Sequence, residues 1–224
     1  LNLMRATSPD ISLSRADAPP TEVMRREVKQ RRVRMDAERE QARGFGLRGP
    51  DFAWLLDQGI PGKLSAWRSV GGFDLILRDS VVFGRKQRFE FARLVRDAKS
   101  DRVAAYTLLA RDTAGAPLDV VAWHPRTGRV ATWLGRTGLL GLEYPCPGTG
   151  KDPLVVYRNP AAWLADERRG VVVVDEQLAR MDLLEAGSIL AADIPHGTAL
   201  QVMLSKVRLP SILVPADAVR KAAA

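Results

Sequence analysis

The chain has 224 residues, of which 46% are hydrophobic, and a formal net charge of +8. That length suits one large domain or two small ones, and a fold of this size buries roughly 70% of the surface its unfolded chain exposes. The single cysteine, Cys146, excludes an intrachain disulfide and a multi-cysteine metal site.

A lone thiol fits a reducing compartment, so the expected location is cytoplasmic. No apolar run approaches the ~18 residues of a membrane span, and no membrane partner is expected. The basic balance favours anionic partners, nucleic acid first among them.

Residues 1–20 are rich in Ser, Pro and Asp and read as a disordered arm. Residues 21–45 read as a helix that opens at Thr21 and ends before Gly44. Its apolar residues form no clean stripe, whereas Arg25, Arg26, Lys29, Arg31 and Arg32 crowd its first half. These cations are candidate phosphate contacts, and the competing reading is a solvated helix.

Residues 50–68 begin with a short amphipathic helix stopped by Gly59 and a Pro-Gly turn. Residues 73–77 and 80–83 read as strands, and "FGRKQRFEFARLVRD" follows. Arg85, Lys86 and Arg88 could meet phosphates there, and Phe89 and its neighbours could offer stacking faces. The alternation of Phe89 and Phe91 with Arg88 and Glu90 equally suits a half-buried strand. Three more strand-like runs, 104–109, 118–123 and 130–134, are joined by "AGAP" and "PRTG" turns. They predict an antiparallel meander, and with it an α+β unit over residues 50–142.

"PCPGTGKDPLVVY" looks like a phosphate-binding loop but fails the spacing. With Gly150-Lys151 as anchor, the first glycine falls on Pro145 and the hydroxyl residue on Asp152. The segment reads as a linker. Beyond it, apolar runs at 154–157, 171–174, 188–193 and 212–214 alternate with helical stretches at 160–168, 176–186 and 195–205. Asn159 is a ready N-cap, and Pro160 and Pro195 suit the first helical position. The expectation is a small parallel β-α-β-α-β-α-β sheet over residues 152–216. The fold class is therefore α/β, an α+β half followed by a parallel half.

The chemistry-bearing residues are few. His124 and His196 are the only histidines, and no Gly-x-Ser-x-Gly elbow is present. Asp175, Glu176 and Asp193 follow predicted strand ends, where open α/β sheets place ligands. They are candidate metal or substrate ligands, and for Asp175 and Glu176 the competing role is a helix cap.

"WLLDQGIP" resembles the "YL…RGI" element upstream of the catalytic core of bacterial-type primases. "YTLLARDTAGAPLDVVAWHP" resembles their "FPI.D..G..V.F" hairpin, and residues 154–214 follow the strand and helix order of a Toprim domain. Similar arrangements occur in replication proteins of phages and plasmids. The resemblance covers about residues 50–214 and rests on element order and common residue types. It departs at the metal site: Toprim enzymes carry Glu-Gly after the first strand and Asp-x-Asp after the third. Here "VYRNP" puts Tyr157, Arg158 and Asn159 where the glutamate would stand. In "ADIP", Asp193 matches the first aspartate and Pro195 replaces the second. The resemblance thus implies a degenerate, non-catalytic copy without a metal cofactor.

The resulting expectation is a nucleic-acid-binding accessory of mobile-element replication or another DNA transaction, working with replication or assembly partners. One alternative is a phosphoryl-transfer enzyme holding Mg²⁺ on Asp193, Asp175 and Glu176. Another is an assembly protein whose basic helix docks on an acidic partner.

Overall fold

The structure, a computed structural model, describes residues 36–62, 76–95, 102–143 and 152–206. Most of the basic N-terminal helix, the 212–214 run and the Gly150-Lys151 loop lie outside the described residues. Residues 36–41 are helical; there Ala37 is fully buried, and the Gln41 side chain donates to the Thr107 carbonyl at 3.2 Å. Helix α1 (Gly49–Asp57) is entered through Pro50 and left through Gly59, whose φ of +76° suits the residue past a helix end.

The first sheet is antiparallel, in the order β2-β1-β3-β4-β5. Its strands are β1 (Leu77–Phe83), β2 (Phe89–Phe91), β3 (Arg102–Arg111), β4 (Pro117–Trp123) and β5 (Val130–Thr132). The run expected at 80–83 is part of the longer strand β1, because residues 78–80 continue the ladder with β3 despite their polarity; of the run expected at 73–77, residues 73–75 lie outside the described residues. The β3–β4 turn forms because the Asp112 carboxylate accepts from the Ala114 and Ala116 amides, with Gly115 at φ +77°. The sheet curls until its edges meet: Arg88 bridges Thr132, whose amide donates to the Gln87 carbonyl. Period-2 alternation gives the sheet two apolar faces. Val81, Phe89, Phe91, Ala105, Leu109, Val120 and Ala122 fill the inside of the curl.

The second sheet has the order β6-β8-β7-β9, from β6 (Leu139–Leu140), β7 (Leu154–Tyr157), β8 (Val171–Val173) and β9 (Ile189–Ala191). β8 and β9 pair parallel to the central β7. This sheet is mixed rather than purely parallel, because β6 pairs antiparallel with β8. A two-residue apolar run before a linker carries too little pattern to be read as a strand. Helices α2 (Pro160–Ala165) and α3 (Glu176–Leu184) connect β7 to β8 and β8 to β9, and α4 (Ile194–Ser205) follows β9. Asn159 caps α2 by accepting from the Ala162 amide, and Asp193 caps α4 by accepting from His196. Pro195 therefore takes the second helical position, one later than expected.

The two sheets share a core. Tyr106, Leu108, Val121 and Trp123 from the outer face of the first sheet pack with Leu140, Trp163, Leu164, Val172 and Val174, and α1 adds Leu55. α3 and α4 cover the far face of the second sheet through Ala179, Leu183, Leu200 and Met203.

Candidate nucleic-acid interface

The antiparallel ladder brings one end of every strand of the first sheet together. At that end lie the β1–β2 turn, the start of β3 and the β4–β5 turn, which carry the exposed cations Arg85, Lys86, Arg102, Arg126 and Arg129. The Arg129 guanidinium ties the two turns by donating to the Gly84 carbonyl at 2.6 Å, and it lies over the Phe83 ring at 4.8 Å. Lys86 and Gln87 both adopt φ 54°, which turns the chain sharply enough to present Arg85 and Lys86 at the tip. Acidic residues border this end too: Glu90 is exposed on β2, Asp175 lies 3.8 Å from Arg88, and the exposed Glu176 follows it, its amide donating to the Gln87 side chain.

A groove of about 480 Å³ opens beside this basic end. Its floor is the start of β3, where Ala104 leaves space, and its walls are Pro50, Asp51 and Trp54 of α1 and His124 and Arg126 of the β4–β5 turn. Arg78 on β1 lines it and continues into a second, smaller hollow shared with Phe45 and Arg48. Phe45 is held there by a backbone bridge to Arg78, yet its side chain is 67% exposed.

The polar wall is pre-arranged. Asp51 accepts from the Tyr106 hydroxyl at 3.1 Å and from the Arg48 amide at 2.9 Å, and lies 3.6 Å from the Arg78 guanidinium. Burial, then the Asp51 carboxylate, push the Tyr106 pKa well above the usual phenol value, so this hydroxyl stays a donor. Trp54 is half-buried and stacks at tilted angles on Tyr106 and Trp123, with centroids 5.7 and 5.4 Å away. The ring is thereby fixed with part of its surface facing the groove.

The sequence candidates separate. Arg85 and Lys86 are exposed at the basic end. Phe89 is buried, 1% exposed, and meets Phe91 edge to face inside the curl, which removes it as a stacking surface. Arg88 turns inward. It donates to Thr132 Oγ1 at 2.8 Å and lies 3.8 Å from Asp175. A Cβ on Gly135 would overlap its guanidinium, so Arg88 packs where only glycine leaves room. Its role is to join the two sheets, as is that of Gln87, whose side chain accepts from the Glu176 amide. Arg25, Arg26, Lys29, Arg31 and Arg32 lie outside the described residues. Trp54, Arg78, Arg126 and Phe45 escaped the sequence reading because they come from separate elements. Arg126 in the "PRTGR" turn is the one with a local signal, a cation fixed at a tight turn.

The carboxyl edge of the second sheet is the other place to look. β7 leads to α2 on one face and β9 leads to α4 on the other, so the connections diverge between β7 and β9, the place where open α/β sheets have a crevice. Arg158 and Asp193 close it, with Arg158 donating to Asp193 Oδ1 at 2.5 Å. That same oxygen accepts from the His196 amide at 2.8 Å. The amide, together with Arg158, holds the Asp193 carboxyl below its ordinary range. Asp175 stands two strands away from Asp193, roughly 10 Å by strand spacing. Its carboxylate caps α3 by accepting from Gln177 and Leu178. The structure therefore does not bring Asp193, Asp175 and Glu176 together. Among the described residues, no three His, Cys, Asp or Glu side chains are placed to hold a metal ion.

No family model matches the chain, and no curated protein matches it in sequence.

Proposed function

We propose that the protein binds nucleic acid as an accessory of mobile-element replication or a similar DNA transaction. The observation that carries this reading is the basic end of the first sheet, where Arg85, Lys86, Arg102, Arg126 and Arg129 share one sheet end and Arg126 lines an aromatic-walled groove. Cations on tight turns and strand ends of one sheet form a fixed field for a phosphate backbone, and phosphate neutralisation is the main source of sequence-independent affinity. The replication setting rests on the resemblance to the primase core. The Arg158–Asp193 pair supports a role without phosphoryl transfer, because Arg158 occupies the carboxylate that a divalent cation would use.

Fluorescence anisotropy with labelled DNA tests the proposal. Binding is expected at ~50 mM salt and should weaken steeply towards physiological salt. Combined Arg85→Ala, Lys86→Ala and Arg126→Ala substitutions should lower both affinity and salt dependence, by about 0.7 to 0.9 in log–log slope for each phosphate left without its cation. Absence of binding to single- and double-stranded DNA and RNA at ~50 mM salt removes the proposal. Removing residues 1–35 leaves the buried Ala37 and Gln41 in place and isolates the share carried by Arg25, Arg26, Lys29, Arg31 and Arg32.

A further inference from the structure

We infer that the groove beside the basic end accepts an unpaired base of a single-stranded nucleic acid, stacked on Trp54, with Arg126 and Arg78 meeting the phosphates on either side. The inference rests on the nucleic-acid reading and specifies the form of nucleic acid that this site takes.

Three observations lead to it. The first is shape. A recess of about 480 Å³ between α1 and the start of β3 lies in the size range of small-ligand sites, which suits one nucleotide. A duplex keeps its bases paired and stacked, and offers such a recess only its backbone. The second is the lining. Trp54 is the aromatic face of the groove, held by the buried Tyr106 and Trp123, and Phe45 stands 67% exposed in the adjoining hollow. Aromatic faces bind bases with little regard to sequence, because every base has a π-face. The third is charge. Arg126 and Arg78 line the groove with Trp54, and Arg78 and Arg48 line the smaller hollow with Phe45. Each hollow thus offers cations beside an aromatic ring, the two kinds of partner that the phosphates and bases of a single strand use. The Asp51 carboxylate would repel a phosphate, but it is engaged by Tyr106 and lies beside Arg78.

The test compares three probes of equal length on the full chain at ~50 mM salt: an oligo-dT strand, an abasic strand and a duplex. The dT strand should bind about ten-fold or more tightly than either of the others. Trp54→Leu should weaken dT binding by about 5- to 100-fold and so narrow the gap between the dT and abasic strands. Because Trp54 also packs against Tyr106 and Trp123, Phe45→Ala provides the second variant. Its ring is mostly exposed, so the fold should be retained while dT binding falls. Equal affinity for the dT and abasic strands, or duplex binding at least as tight and insensitive to both substitutions, overturns the inference and leaves the nucleic-acid reading standing. If none of the three probes binds, that reading fails and the inference fails with it.

Discussion

At positions 158 and 193, two residues of opposite charge meet where a strand order reverses, and their pairing fixes what the crevice can do. Asp193 serves Arg158 and the His196 amide at once, and the His196 ring completes the turn by accepting from the Ala192 amide through Nδ1 at 3.2 Å. That bond needs an unprotonated Nδ1. Burial, then the Arg158 charge, lower the His196 pKa below its ordinary 6.5, with Asp193 acting in the opposite sense. The folded state therefore binds this proton less readily than the unfolded chain. The stabilisation is fully present above the unfolded value and is lost as pH falls through 6.5 towards the folded midpoint. His196 ring protons followed by NMR should titrate with a midpoint below 6.5. Thermal stability should fall between about pH 7.5 and about pH 5.5, and His196→Gln should flatten that part of the profile. A midpoint above 6.5 would contradict the geometry.

At the scale of elements, close backbone approaches hold the second sheet against its helices. The Gly138 carbonyl accepts from the Val174 and Asp175 amides, and a Cβ on Gly138 would lie 1.9 Å from the Ala179 nitrogen. The start of α3 thus packs directly on the backbone leading into β6. Gly138→Ala should cost about 3 kcal/mol or more, since backbone atoms rather than a flexible side chain would have to move. Gly46→Ala, which meets nothing within 4 Å, is the control and should stay within about 0.5 kcal/mol in the same urea titration. Elements with strong local signals were legible in the sequence: the "AGAP" and "PRTG" turns, the Asn159 cap and the β-branched runs at β7 and β8. β6 was not, because its two residues gain their partner only after the chain has passed through β7 and α2. The groove was not legible for the same reason. Trp54, Arg78 and Arg126 are brought together by packing of α1 on the sheet and by the β1–β3–β4 register, neither of which leaves a periodic trace. Phe89 illustrates the converse. Its basic neighbours suggested a stacking ring, whereas its alternation with Arg88 and Glu90 suited the half-buried strand that the structure shows.

Across the whole molecule, one apolar cluster runs from α1 through the outer face of the first sheet to Trp163 and β8. Trp163 is nearly fully buried, and its indole donates to the Gly170 carbonyl at 2.9 Å. Neither sheet can expose this cluster without stripping the other, so the described residues should unfold in a single transition. Circular dichroism and tryptophan fluorescence should give coincident urea curves, and two separated transitions would contradict the shared core. The polar joint formed by Arg88, Gln87, Asp175 and Glu176 lies at the edge of the same interface. Arg88→Ala should lower stability by about 1–3 kcal/mol, because Thr132 and Asp175 are left without a charged partner in a partly buried site. At temperatures where the variant remains folded, its affinity for an oligonucleotide should match that of the parent chain, whereas Arg126→Ala should show the opposite pattern, unchanged stability and weakened binding. The two arginines look alike in the sequence, each a cation beside a turn, and this double dissociation separates the one that fastens the sheets from the one that faces the ligand. Weakened binding in folded Arg88→Ala would move the interface towards the joint between the sheets and away from the groove beside α1.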